Sequence, residues 1–371
     1  MDPPKGLHAF FTRRDNFVLS TSLWPANERT LLREATVRQL LVDAATHHPH
    51  QLALVAPDGN RRWTYAELLD DVHRVAATLL EEFDPGQGIV LDPDTPDRAH
   101  VVRLACAVAG LPLIQGGSDD ALTVDSADVH ARAAQTTAQP QALPQIGPEH
   151  PVTTSAGGEI VLTHRALVNC GLLVAERLAA GPSDVWLADP AADNGPALPG
   201  LEVLATCGTY IPASPAAVDL TGLITAQRVS ILDAVPPDLL AVKDRPLASG
   251  SALRVVISRA PRMSPEVAAY VETDLAAELA TVFGVPGVTA AMCASYSEDS
   301  LDDRIHTVGR PLAHTAVLVA GPDDATPLPC GTEGRVLTRG IGAMTGDGDW
   351  IDTGRRGSMD TRGHLTIASD I

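Results

Sequence analysis

Apolar residues recur at helical spacing from Val37 onward. Val37, Leu40, Leu41, Ala44 and Ala45 fall on one face, and Thr36 stands where an N-cap belongs. A short strand is expected over Leu52–Val55. Asp58-Gly59-Asn60 then reads as a hairpin-type turn, and Arg62-Trp63-Thr64-Tyr65 begins the return. Thr64, with Glu67 three residues on, is a capping box for a helix running through Leu80. A strand at 89–91, a small-residue helix at 99–109 ending at Gly110, and a strand at 111–114 follow. This alternation predicts a parallel or mixed sheet covered on both faces.

The pattern lapses over 116–150, which is rich in Ala, Gln, Thr and Pro and reads as loose surface chain. It resumes with a helix over 165–179, a strand at 185–187, helices near 198–206 and 219–228, and strands at 209–211, 230–232 and 255–257. Ser264 opens a further helix with Pro265 at its first position. Beyond His306 come short strands at 317–319, 334–337 and 364–367. Four units are expected: an irregular arm (1–35), a first α/β subdomain (36–165), a second (166–305) and a β-rich subdomain (306–371).

At 371 residues and 45% hydrophobic, the chain is long and apolar enough for two or three packed units. Its formal charge of −19 argues against nucleic acid or an anionic membrane as principal partner. Neither a signal peptide nor an apolar run of ~18 residues is present, so a cytoplasmic protein is expected. The five cysteines have no metal spacing, and no metal is expected. His47, His48 and His50 lie together in a loop, and no G-x-S-x-G elbow or zinc-protease helix occurs.

Several short segments occur in a telling order. They are Trp63-Thr64-Tyr65-Ala66-Glu67-Leu68; Leu253-Arg254-Val255-Val256-Ile257-Ser258 with Ala260-Pro261 and Ser264-Pro265-Glu266; and Val308-Gly309-Arg310-Pro311-Leu312. Gly331-Thr332-Glu333-Gly334-Arg335-Val336, Thr353-Gly354-Arg355-Arg356-Gly357 and Asp360-Thr361-Arg362-Gly363 complete the set. Together they resemble the adenylate-forming superfamily of acyl-CoA synthetases, nonribosomal peptide adenylation domains and luciferases. The resemblance implies an α/β fold: two sheet-and-helix subdomains in a layered αβαβα arrangement plus a small β-barrel-like subdomain. It also implies condensation of a carboxylate with ATP and transfer of the acyl group to a thiol. Ile371 falls where the family's hinge begins, so the mobile C-terminal lid domain with its lysine is expected to be absent.

Against that family the chain departs around one ligand. The phosphate loop T-S-G-T-T-G-x-P-K-G is shortened to the run from Thr153 to His164. Thr154 and Ser155 remain, the lysine is gone, and Glu159 adds negative charge. The magnesium-binding glutamate of Y-G-x-T-E is replaced by Gly287, and its threonine by Pro286. The ribose-binding aspartate of T-G-D is replaced by Arg355, a pure donor. Ser258 or Arg259 stands at the flat glycine pair that carries adenine. Each lost charge-stabilising group typically costs ~3 kcal/mol of transition-state stabilisation. The expectation is no ATP-dependent adenylation, no tight ATP binding and no cofactor.

An acyl pocket is expected to remain. Asp193, His164 and Tyr210 are its candidate acid–base residues; Asn194, Arg259, Val285, Gly287 and Met292 are its candidate lining. Taken singly, Asp193-Asn194-Gly195 also reads as a turn, Tyr210 as a core residue and His164 as a helix-start packing residue. The leading reading is an ATP-independent enzyme acting on an acyl or polyketide-like intermediate in a bacterial natural-product pathway. The alternatives are a non-catalytic partner of a carrier protein or synthetase, and a residual ligase needing a C-terminal domain in trans.

Overall fold

The computed structural model describes residues 18–115, 122–135, 143–155, 161–190, 198–214, 218–241, 243, 247, 250–285, 288–342 and 350–368. Three sheets organise the α/β fold. The largest has nine strands, in the order Arg310–Pro311, Cys293–Ala294, Glu278–Phe283, Val255–Ser258, Ile231–Asp233, Val185–Ala188, Thr209–Pro212, Leu52–Val55 and Arg62–Thr64. Its six central strands are parallel, and antiparallel strands close both edges. Leu54 lies opposite Tyr210, so this sheet draws strands from both sides of residue 165.

Alternation along these strands decides which core each residue joins. Trp186, Tyr210, Ile231, Val255 and Ile257 leave one face. They pack in one continuous cluster with the helices Val37–His47, Tyr65–Leu79, Pro96–Ala109, His164–Arg177 and Leu201–Thr206. The same cluster takes in Ile89, Leu113, Val152 and Leu162 of the five-stranded sheet Leu122–Asp125, Ile89–Asp92, Leu113–Gln115, Pro151–Ser155, Val161–Thr163. Leu187, Ile211, Leu232 and Val256 leave the opposite face and pack with Leu220, Ile224, Leu239 and Val267. A sheet buried on both sides needs near-continuous apolar strands, and these strands have them.

The helix starts follow the chain's polar punctuation. Thr36 and Gln39 form a reciprocal capping box, as do Thr64 and Glu67, each satisfying two N–H groups that a helix end leaves orphaned.

Two expectations change. The arm before residue 35 is not wholly irregular: Leu23–Trp24 pairs antiparallel with Leu318 and Val317. Two residues are too few to show a period, so only the partner strand reveals them. The pair extends a second five-stranded sheet with Thr315–Ala320, Gly334–Gly340, Ile351–Met359 and Leu365–Ile367, the β-rich unit. Trp24 also explains Gly363, which has φ +85° and whose added Cβ would lie 2.1 Å from a Trp24 ring carbon. The stretch 116–150 is likewise partly regular. It contains the strand Leu122–Asp125 and the helix Ser126–Ala133, which Asp125 caps by accepting from the Ala127 and Asp128 N–H groups. Val129 and Ala133 are the only apolar side chains among that helix's buried residues, too few to mark its face in the sequence.

Candidate functional site

The strands on either side of the shortened run, Pro151–Ser155 and Val161–Thr163, pair antiparallel. Thr154 pairs with Val161 on one side and with Ile114 on the other, and Ser155 pairs with Gln115. Thr154 is thus paired within the sheet on both sides, and Ser155 on one. Glu159 lies outside the described residues. Thr163 caps the following helix by accepting from the Ala166 N–H at 3.3 Å.

His164 is fully buried, and its Nδ1 accepts from the Val37 N–H at 3.1 Å. That bond places the ring proton on Nε2. Burial, reinforced by His150, pushes its pKa down to about 3, so the ring is neutral. It satisfies an orphan donor at the start of Val37–His47 and lines neither cavity described below. As an acid–base candidate it stands apart from Tyr210 and Arg259, in a packing role.

Charged residues gather at the carboxyl ends of three adjacent parallel strands. Asp189 follows Val185–Ala188, Asp233 ends Ile231–Asp233, and Arg259 follows Val255–Ser258. This is where open α/β sheets place ligands. Arg259 Nε donates to Asp233 at 2.7 Å, and Nη2 reaches Glu202 of the helix Leu201–Thr206 at 3.5 Å. The guanidinium is only 7% exposed. Burial opposes its charge, yet the two carboxylates hold its pKa above the ordinary value. Glu202 moves the other way for an acid: burial raises it, and the loose contact with Arg259 only partly offsets this. Asp233 is thus the principal partner.

Two small cavities flank this triad. Leu167, Cys170, Val174, Leu201, Ala290 and Ala291 line the first, an apolar space with Glu202 as its charged member. Trp186, Asp189, Tyr210, Asp233 and Arg259 line the second, with Glu202 shared. Each encloses about 10 Å³, room for a single water. Little open space is left around the triad among the described residues.

Tyr210 sits in the second cavity with its hydroxyl buried, and burial raises its pKa well above the usual phenol value. Val285 and Met292 do not line either space. Both pack with Phe283, Cys293, Val308 and Val317 in the core beneath the β-rich unit. The Val285 N–H donates to Thr289 Oγ1 at 2.8 Å, a tight turn that carries Ala290 and Ala291 to the first cavity instead. Asp193, Asn194 and Gly287 lie outside the described residues.

Arg355 occupies an irregular stretch of the strand Ile351–Met359. Arg335 pairs with Arg356 and Leu337 with Asp352, so Thr353-Gly354-Arg355 bulges from the ladder. Gly354 has φ +68°, and the Arg355 N–H donates to Thr353 Oγ1 at 3.2 Å.

Glu202, Asp233 and Trp186 escaped the sequence reading. The available signal was positional: Asp233 and Arg259 close neighbouring apolar strands. Glu202 had none, since a lone carboxylate in a short helix ordinarily faces solvent.

A sequence profile for the family described as AMP-binding enzyme matches residues 153–346, just over half of the chain. Enterobactin synthase component E of Escherichia coli (strain K12) is 29% identical over 161 residues, covering 41% of this chain and 29% of that protein. The chain thus matches under a third of that curated relative's length. Among solved structures, the N-terminal domain of FACL13 from Mycobacterium tuberculosis superimposes with a TM-score of 0.78 at 18% identity, covering 90% of this chain and 100% of that one. ATP-bound MatB from Rhodopseudomonas palustris gives 0.75 at 18% identity, covering 90% and 78%. The N-terminal subdomain of Klebsiella oxytoca NpsA, in complex with 3-hydroxybenzoyl-AMSN, gives 0.74 at 15%, covering 91% and 98%. At these identities the likeness establishes the fold.

Proposed function

This chain belongs to the family of AMP-binding enzymes, and we propose that it is a member that has given up ATP-dependent acyl adenylation while keeping the family's ligand-site frame. The carrying observation is Arg259. Its guanidinium stands just beyond Ser258, where the family resemblance puts a flat glycine pair, and is buried between Asp233 and Glu202. A fixed charge network there competes with a flat base for the same space. Arg355 on the bulge and the absence of lysine from residues 151–163 support the same reading. ATP therefore does not fit the residues present.

Within that frame the chain acts without ATP on a small acyl-type or polyketide-like molecule of a bacterial natural-product pathway. Tyr210, whose buried hydroxyl has no partner among the described residues, is the acid–base candidate the cavity supports, and Glu202, its acidity lowered by burial, is the second. A second reading, a non-catalytic partner of a carrier protein or synthetase, draws support from the near-closed cavities.

The test is a mass-spectrometric screen of candidate acyl intermediates with the purified chain, with and without ATP and magnesium. Turnover without ATP supports the enzyme reading. ATP-dependent pyrophosphate release overturns the proposal and restores a ligase completed in trans. No turnover under either condition favours the binding partner.

A further inference from the structure

Trp186 and Tyr210 stand opposite each other on neighbouring parallel strands, so their side chains leave the sheet on one face. Both line the second cavity, and they are 3% and 2% exposed. Neither Trp186 Nε1 nor the Tyr210 hydroxyl has a hydrogen-bond partner among the described residues. The indole N–H can only donate; the phenol can donate or accept. Buried polar groups are nearly always satisfied, so two orphans side by side at one cavity mark a place for an occupant.

The Tyr210 ring is held for that task. His100 packs against it with ring centroids 4.8 Å apart at 64°. Gly200 backs it so closely that an added Cβ would lie 2.8 Å from two ring carbons. The enclosed space of about 10 Å³ admits a single oxygen-sized group. Asp189, Glu202 and Asp233 share the lining with Arg259, and Arg103 lies near Tyr210 and Asp189, so three carboxylates stand against two cations and a further anion is disfavoured.

We propose that Trp186 and Tyr210 form a one-oxygen subsite at the inner end of the retained cleft. Its ligand is a small acyl-type molecule whose far end carries a neutral oxygen, a hydroxyl or carbonyl, where a plain acyl chain carries a methyl. This rests on the reading that the cleft takes a ligand without ATP. The ligand's oxygen accepts from the Trp186 N–H and bonds with the Tyr210 hydroxyl, whereas a methyl group leaves both unpaired.

The full chain is titrated calorimetrically with straight-chain ω-hydroxy acids of four to eight carbons, with their primary amides, and with the methyl isostere of each. At least one hydroxy compound binds about tenfold or more tighter than its isostere. Tyr210→Phe and Trp186→Phe each shrink that ratio at least about threefold while the unfolding midpoint stays near wild type. Should one variant fail to fold, the other carries the comparison. Equal affinity within every pair, no binding by any hydroxy compound, or ratios unchanged by both variants overturns the subsite. Pyrophosphate release with ATP overturns the proposed function whatever these ratios are. A chain that ignores ATP yet does not distinguish hydroxyl from methyl overturns the subsite alone.

Discussion

Arg259 Nε donates to Asp233 at 2.7 Å across the carboxyl ends of two neighbouring parallel strands, inside the cleft where the fold family places its ligands. The pair is buried, and Glu202 stands on its far side at 3.5 Å.

Removing the cation strands two buried carboxylates. Arg259→Ala is expected to lower stability by about 3–5 kcal/mol, against about 1 kcal/mol or less for the exposed pair Arg356–Glu333. Urea unfolding of Arg259→Ala and Arg356→Ala makes the comparison. Equal midpoints would remove Arg259 from the core of the account.

On the proposed reading, restoring one nucleotide contact does not restore ATP binding, because the departures from the family pattern are separate. Arg355→Asp returns an acceptor to the bulge but leaves Arg259 and the lysine-free run 151–163 in place. Calorimetry with ATP and magnesium is expected to stay silent at micromolar concentration for both wild type and Arg355→Asp. A micromolar affinity in the wild type contradicts the reading outright.

His364 sets an alkaline limit on stability. Its ring is buried, which opposes charge, but Asp299 at 3.1 Å and Asp360 at 3.3 Å push its pKa up to about 9. The folded value exceeds the unfolded one of roughly 6.5, so the stabilisation is full below about pH 6.5 and fades as pH rises through 9. His364→Gln is expected to lose on the order of 1–3 kcal/mol at pH 6, and little beyond that of wild type above pH 9. Urea midpoints between pH 6 and 10 read the difference.

His100 and His164 act in the opposite sense. Burial holds both near a pKa of about 3, so the unfolded chain takes protons that the folded chain refuses. Stability then falls as pH drops from roughly 6.5 toward 3, by up to about 1.4 kcal/mol per pH unit for each ring. His164→Gln is expected to be less stable than wild type at neutral pH, since the Val37 N–H loses its acceptor geometry, yet to show a shallower acid slope. An unchanged slope removes His164 from the titration.

Gly363→Ala tests the tie between the chain's start and its end. Its Cβ would lie 2.1 Å from the Trp24 ring at φ +85°. Loss of more than about 1 kcal/mol is expected, with earlier proteolytic cleavage near residue 24 as Leu23–Trp24 leaves Leu318 and Val317. Wild-type stability and cleavage would show that the strand docks without this contact.

Local chemistry alone determined much of the frame. Thr36, Thr64, Thr163 and Ser264 cap helices from their own neighbourhoods, and apolar runs such as Val255–Ser258 declare buried strands. Such signals are legible because helix period and cap geometry depend on residues within a few positions of one another. Motif order likewise carried the family, and Ser258 or Arg259 and Arg355 stood out as expected departures from its pattern. Only the tertiary structure decided what those residues touch. It joined Leu23–Trp24 to a strand almost three hundred residues away and moved Val285 and Met292 into a core. It gave His164 to Val37, and it brought Glu202, Asp233, Trp186 and Tyr210 together around Arg259. Sheet order sets those meetings, because strands adjacent in space are far apart in the chain, and burial then fixes which polar atoms must find a partner and which still lack one.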